Sequence, residues 1–514
     1  MSLARDFTTV GSGTLLSRLL AYVRDAGIAA TLGTGPVSEA YFAVLQLVNV
    51  FRRPLSEGAL NAAFVPIWLR LRAHEDGAAN ANRFTLRVLV TMLCVSGILT
   101  LLIVVFAPQI VVAIAPGFDP ALRGLATLFT VLASPYVLLA GLAAVIAAAM
   151  NAENRVGVIA ASTLLFNGVM VGVVVFLYAA SVAPGEAGFW LIGAIVAAAL
   201  VQLALTGVAW LATGDRRQRA RVREADETGR FFRRALPGLI ATGVPQFKLI
   251  AATAIVSASP AAVSWLYYAN RLYELPLGIA SVGVAAVIVP RIAGTVRSGD
   301  EDLLAAAQSR AYEIALGLAL PAAAGFALLA EPIARGLFER GAFGAADTTA
   351  VAAAMVAMCA GLPGHVLEKT FGAVSFAHED THTPMIAALA GLAAAITLGI
   401  VLFARSGYVG VAAAIAVSGW VGAGLLGVIL LRRSWLRIDA GARRRLPRIG
   451  LATIAMAGAV GGAHRLIGNS ANAPAARLAI LAVLVALGVA VYLAALRLLG
   501  VATLRELTAL PHRS

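Results

Sequence analysis

Residues 188–212 read GFWLIGAIVAAALVQLALTGVAWLA, 25 positions without one charged side chain. At ~1.5 Å per residue a helix of that length crosses the ~30 Å hydrocarbon layer of a bilayer. Working outward in both directions, similar apolar stretches recur at 7–32, 40–69, 88–113, 124–150, 156–181, 235–257, 264–290, 311–330, 348–377, 383–404, 408–431, 449–467 and 478–499, giving fourteen segments in all. The whole chain of 514 residues is 60% apolar and 13% charged, against ~25% charged in a soluble domain. A soluble enzyme is excluded. The mean hydropathy of +0.87 also excludes a membrane β-barrel, whose strands alternate and carry a polar lumen. The expected fold is an all-α integral membrane protein of about fourteen transmembrane helices. The first segment follows Arg5 but is interrupted by Arg18 and Arg24, so it reads as a retained helix and not as a cleaved leader.

The net charge of +14 is arranged by position. The N-terminus and the connections after even-numbered segments hold 27 arginines, including the runs Arg216–Arg234 and Arg432–Arg448, while connections after odd-numbered segments hold six. Short cytoplasmic loops are enriched in Lys and Arg, so the split supports the count and places both termini in the cytoplasm. Such loops meet anionic headgroups, which makes anionic membrane lipids the expected partner of the basic excess and removes the case for nucleic acid. Cys94 and Cys359 lie singly in apolar runs, suggesting neither disulfide nor metal. Neither lysine, Lys248 nor Lys369, follows a glycine, so no Walker-type phosphate loop exists and any transport is secondary, with a possible coupling ion of unknown identity. His378 and His382 have helical metal spacing, but in a turn with Glu379 and Asp380 they read as solvated.

A faint repeat relates segment n to segment n+6. Ala62–Pro66 echoes Ala286–Pro290, and the turn Asn151–Arg155 echoes His378–His382, at offsets of 224 and 227. Because six is even, the halves share one orientation, as parallel repeats do. The organisation expected is an N-terminal lobe over 1–215, a C-terminal lobe over 216–437, and two appended helices with a tail over 438–514.

Seven bases and five acids remain at apparent membrane depth: Arg18, Arg24, Arg52, Arg53, Arg271, Lys248 and Lys369, with Asp25, Glu57, Glu274, Glu313 and Glu368. Each costs ~2.5–3.5 kcal/mol at a helix centre, so each needs a cavity, a partner or a route to the interface. Arg18 and Asp25 are seven apart and share a helix face, so they can pair. Gln46, Asn49, Arg53 and Glu57 form one stripe on a helix that Pro54 and Gly58 can bend. Arg271 and Glu274 repeat a charge pair before Pro276 and Gly278. Glu313 reads as interfacial, and the adjacent Glu368 and Lys369 cannot face each other. Arginine forks suit bidentate phosphate contacts, and the excess of base favours an anionic substrate.

The strings Ser17–Asp25, Glu39–Phe42, Asn49–Arg53, Glu57–Pro66, Ala115–Phe118, Tyr267–Glu274 and Phe376–Pro384 resemble the MurJ (MviN) lipid II flippases over the first twelve segments; the last two match in hydropathy alone. Glu39 stands where that family often has Asp, Asn270 where Asp is common, and His378 where a basic or polar residue is usual. The resemblance implies two six-helix lobes around a central cavity, plus two helices forming a groove for a polyprenyl tail. It also implies flipping of lipid II, an undecaprenyl-diphosphate-linked disaccharide peptide, across the bacterial inner membrane by alternating access, powered by membrane potential or ions, with no enzymatic step. Carried over by position, Arg18, Arg24 and Arg271 would hold the diphosphate-sugar head. Asp25, Asn49, Arg52, Arg53, Glu57, Glu274 and Lys369 would line or gate the cavity, with Glu39 near its outer mouth. A monomer is expected. The alternative is an exporter of another polyprenyl-linked oligosaccharide or of drugs.

Overall fold

The structure is a computed structural model that describes residues 2–56, 59–73, 77–212, 225–298, 300–467 and 474–501; within these, side chains of 2–15, Arg18 and 281–298, among others, lie outside the description. The described residues form α1 (Ser2–Leu32), α2 (Pro36–Ser56), α3 (Ala59–Arg72), α4 (Gly77–Val105), α5 (Ala107–Ile114), α6 (Pro120–Ala133), α7 (Pro135–Ala152), α8 (Val156–Ala179), α9 (Pro184–Leu211), α10 (Ala225–Val256), α11 (Ala262–Ser298), α12 (Glu301–Leu328), α13 (Ala330–Phe338), α14 (Ala345–Cys359), α15 (Leu362–Ala377), α16 (His382–Arg432), α17 (Ala440–Ile467) and α18 (Pro474–Leu498). Helices satisfy every interior backbone group within the segment, which lipid demands.

Every apolar segment of the sequence falls on helix, with two kinds of departure. Segments 40–69, 88–113, 124–150 and 348–377 each fall on two helices. Proline explains the division at 124–150, where Pro135 opens α7 directly after Ser134. Conversely, segments 383–404 and 408–431 run together as α16, but Gly407 sits at φ 57°, ψ −144° inside it. A Cβ on Gly410 would lie 2.3 Å from the Leu402 carbonyl oxygen. In a straight helix eight residues rise ~12 Å, so the chain reverses here and α16 is two helices joined at a glycine.

Among the described residues, eight helical stretches are long and apolar enough to cross a membrane, or nine if α14 and α15, bent by 43°, make one span. Arg18, Arg24, Asp25, Arg52, Arg53, Lys248, Arg271 and Glu274 lie on α1, α2, α10 and α11.

Contacts divide the chain into unit 1, residues 1–264 with 340–344, and unit 2, residues 265–339 with 345–514. These bounds differ from the expected lobe boundary at 215, because α10 packs on α2 and α3. Phe231 of α10 completes an aromatic cluster with Phe64 and Phe84, at ring-centroid distances of 5.9 and 6.2 Å. In unit 2, Ile449, Met456 and Val460 of α17 and Leu484, Tyr492 and Leu496 of α18 form one core with Leu329. Tyr492 donates to the Gly317 carbonyl of α12 at 2.7 Å.

The echo between the halves is sharper in the backbone than in the letters. Arg155 N donates to Met150 O at 2.9 Å with Asn154 at φ 62°, and Asp380 N donates to Ser375 O at 3.0 Å with Glu379 at φ 60°. Both are helix C-caps closed by a left-handed residue, 225 positions apart. The turns Ala115–Phe118 and Arg340–Phe343 repeat at the same offset, each closed by a Phe N–H, at 3.3 and 3.2 Å. Gly117 lies against the backbone of Ala258, and Gly341 against that of Ala30, where a Cβ would come within 2.3 and 2.2 Å.

Candidate functional site

Arg24 and Asp25 are buried side by side on α1, with Asp25 fully enclosed. Arg24 Nε donates to Asp25 Oδ1 at 2.9 Å, and Nη2 lies 2.8 Å from the same oxygen. Nη1 donates to Asn167 Oδ1 of α8 at 3.2 Å, and the Asn167 amide in turn donates to Ser17 Oγ at 3.1 Å. Asp25 is therefore paired with its neighbour Arg24; the pairing with Arg18 expected from the helix face lies outside the described residues. The α1–α8 contact is close enough that a Cβ on Gly27 would strike Val174 at 2.1 Å.

On α2, Gln46 and Asn49 are buried, and Arg52 Nε donates to Asn49 Oδ1 at 3.0 Å. Arg52 and Arg53 are half-buried. Asn49 of the stripe read from the sequence is thus bonded to Arg52; Glu57 and Gly58 lie outside the described residues. Glu39, expected near an outer mouth, is 4% exposed and accepts from Val263 N at 3.1 Å. That N–H belongs to the first turn of α11, so the carboxylate caps a helix N-terminus from another helix. The neighbouring Ser38 and Ser264 hydroxyls meet at 3.1 Å.

On α11, Arg271 Nη1 lies 3.2 Å from Glu274 Oε2, and Asn270 Nδ2 donates to Glu274 Oε1 at 3.3 Å. The expected charge pair is formed, and Asn270 supports the carboxylate as an amide donor. Lys369 is exposed on α15, while the half-buried Glu368 lies against Gly422 of α16, the two pointing apart as adjacency requires. Lys248 is buried on α10. Glu313 is 6% exposed and sits 3.3 Å from Arg310 and 3.1 Å from Arg445, tying α12 to α17. His378 stacks on Trp435 at 4.2 Å and 12°, and the Arg433 guanidinium lies over the Trp435 ring at 4.9 Å. No group of three or more metal-ligating side chains occurs among the described residues.

The family model "Lipid II flippase MurJ" matches residues 28–470. The chain belongs to the MurJ family. A probable lipid II flippase MurJ of Rhizobium meliloti (strain 1021) is 38% identical over 464 residues, covering 90% of this chain and 86% of the relative. One from Rhizobium tropici is 33% identical over 468 residues, covering 90% and 87%. A solved lipid II flippase MurJ in an inward closed conformation superposes with a TM-score of 0.77 at 21% identity, covering 95% of this chain and 98% of that one. An inward-facing multidrug resistance transporter of the MATE family, in the MOP superfamily, reaches 0.61 at 16% identity over 81% and 94%. The MurJ-family assignment and the fold agree with the resemblance carried by the short strings of the first twelve segments.

Sequence reading missed Asn167, Ser17 and the pair Tyr273–His365. Asn167 had a usable signal, since it is the one amide in the apolar run 156–181. Ser17 and Tyr273 lie inside the strings that carry the resemblance but were passed over, because neither carries a charge to stand out against lipid.

Proposed function

We propose that this MurJ-family chain is a multi-pass transporter of the bacterial inner membrane that flips lipid II from the cytoplasmic to the periplasmic leaflet by alternating access, as secondary transport and not as an enzyme. Membership of the family is the observation that carries this reading. Arg18, Arg24 and Arg271 would bind the diphosphate-sugar head, and Asp25, Glu39, Asn49, Arg52, Arg53, Glu57, Glu274 and Lys369 would line or gate its path. In this account Asp25 and Glu274 hold the guanidinium forks of Arg24 and Arg271 until phosphate oxygens compete for them, which suits planar bidentate recognition.

The lobes are read as 1–215 and 216–437, with 438–514 supplying a groove for the polyprenyl tail. The termini face the cytoplasm, where the arginine-rich loops meet anionic lipids, and the working unit is a monomer. Purified protein in sealed vesicles, supplied with a fluorescent lipid-linked precursor in one leaflet, tests the reading. Faster exchange to the other leaflet than in protein-free vesicles is expected. Exchange at the protein-free rate overturns it.

A further inference from the structure

Inside unit 2, Tyr273 of α11 and His365 of α15 meet where neither belongs to the arginine sites. The Tyr273 hydroxyl lies 2.8 Å from His365 Nδ1, and the same nitrogen lies 3.1 Å from the Gly361 carbonyl oxygen one turn back on α15. One nitrogen cannot serve both at once. Without a proton, Nδ1 accepts from the tyrosine O–H; with one, it donates to the carbonyl, and the tyrosine hydroxyl must turn its hydrogen elsewhere.

Glu368 is three residues on from His365, hence on the same helix face, and the buried Cys359 ends α14 one short turn before α15. α16 brings its backbone directly against both groups. A Cβ on Gly419 would come 2.4 Å from His365 Nδ1, and one on Gly422 2.6 Å from the Glu368 carboxyl carbon. Between Gly410 and Leu431 that helix contributes no titratable side chain. From α12, Tyr312 packs on Phe371, while Arg310 and Glu313 pair with each other. α11 adds Arg271 and Glu274, which are paired, and α15 adds the exposed Lys369. His365 is half-buried, so a proton can reach it.

We propose that His365, Tyr273 and Glu368 form a proton-binding site within unit 2, and that a proton taken up there is an ion coupled to substrate movement. The coupling half rests on the flippase reading above. Histidine is the side chain whose ordinary pKa lies in the physiological range. Tyr273 stands two residues from Arg271 and one from Glu274, so a change in its partner alters the tie between α15 and the helix that carries that charge pair. Proton uptake then biases one arrangement of α11 over another, which is all that coupling requires.

Two measurements test this. In vesicles, an imposed pH difference should change the initial rate of precursor exchange by about fivefold or more, the low end of coupling between sites. The ratio should fall to about one in His365→Asn and in Tyr273→Phe, the latter removing only a hydroxyl. A ratio unchanged in both variants overturns the coupling. Independently of any transport, nitrogen-labelled histidine resonances of the purified chain should show one ring, absent in His365→Asn, that titrates between about pH 5 and 8 and whose midpoint moves in Tyr273→Phe and Glu368→Gln. A His365 ring that does not titrate there overturns the site. Wild-type protein that moves no precursor at any pH defeats the flippase reading, and the resonance measurement still decides the site.

Discussion

Arg24 spends two of its nitrogens on Asp25 and one on Asn167. Lysine has three donors on one nitrogen and lacks the planar fork that reaches both groups from separate nitrogens, so Arg24→Lys should insert normally and lose most transport. Asp25→Asn should be worse for the protein itself, because it removes the carboxylate that balances a buried guanidinium; breaking one side of a buried pair costs about 3–5 kcal/mol. Its level in membranes should fall, and the double variant Arg24→Gln with Asp25→Asn should recover the level without recovering transport. Recovery of both would reduce the pair to structure, and growth complementation beside immunoblotting reads the difference. Asp380 makes a second residue-scale case in a turn outside the spans. Burial raises its carboxyl pKa, but the Thr383 hydroxyl and N–H and Arg433 outweigh that and hold it at about 2. The folded value lies below the unfolded one, ~3.9, so the contribution is present above pH ~4 and lost as pH falls through 2. Melting of Asp380→Asn should therefore lie below wild type by a constant margin above pH 4, and the margin should close in stronger acid. What the sequence showed at this scale was which residues are charged at depth and that Arg271 pairs with Glu274; it did not show the partners of Arg24, since those depend on side-chain reach and on neutral groups such as Asn167.

Helices were legible where hydropathy is high and blurred where the backbone does something local. The segment 188–212 became α9 almost unchanged, whereas 124–150 hid the division at Ser134 and Pro135. Between α16's two halves the sequence offered a short gap around Arg405 and Gly407, and the reversal itself depends on one glycine at φ 57°. A branched side chain there costs of order 1–3 kcal/mol. Gly407→Val should lower the melting temperature and the membrane level, while Gly424→Ala in the same element, with open space around it, should be close to neutral. Equal behaviour of the two would remove the backbone explanation. The bend expected at Pro54 and Gly58 is tested by Pro54→Leu, which should leave insertion intact and slow transport.

For the molecule as a whole, the alternation of arginines sorts the fourteen apolar segments into one orientation. It predicts that single cysteines in 432–448 are shielded from impermeant thiol reagents outside intact spheroplasts, while one at Gly185 reacts. Reversed labelling would invert the orientation. Attachment of the last two helices was harder to read, since α17 and α18 share only apolar letters with their neighbours. The structure ties them to α12 through Arg445 and Glu313, through Arg437 N donating to Gln308 at 2.8 Å, and through Asp439 N donating to Ser309 at 2.9 Å. Removing residues after Arg437 should therefore lower thermal stability as well as binding of a long-chain precursor, and Glu313→Gln in the truncated chain should restore part of the stability.

Residues 340–344 belong to the compact unit that otherwise ends at Ser264, with Ala342 N donating to Ala30 O at 2.8 Å. During biosynthesis α1 and α2 leave the ribosome long before that contact exists. At ~5–20 residues per second the interval between residues 264 and 340 lasts roughly 4–15 s. Throughout it the carbonyl of Ala30 lacks its eventual donor, so nascent chains stalled before residue 340 should be cut by protease near Gly33–Gly35, and chains stalled well beyond 344 should resist.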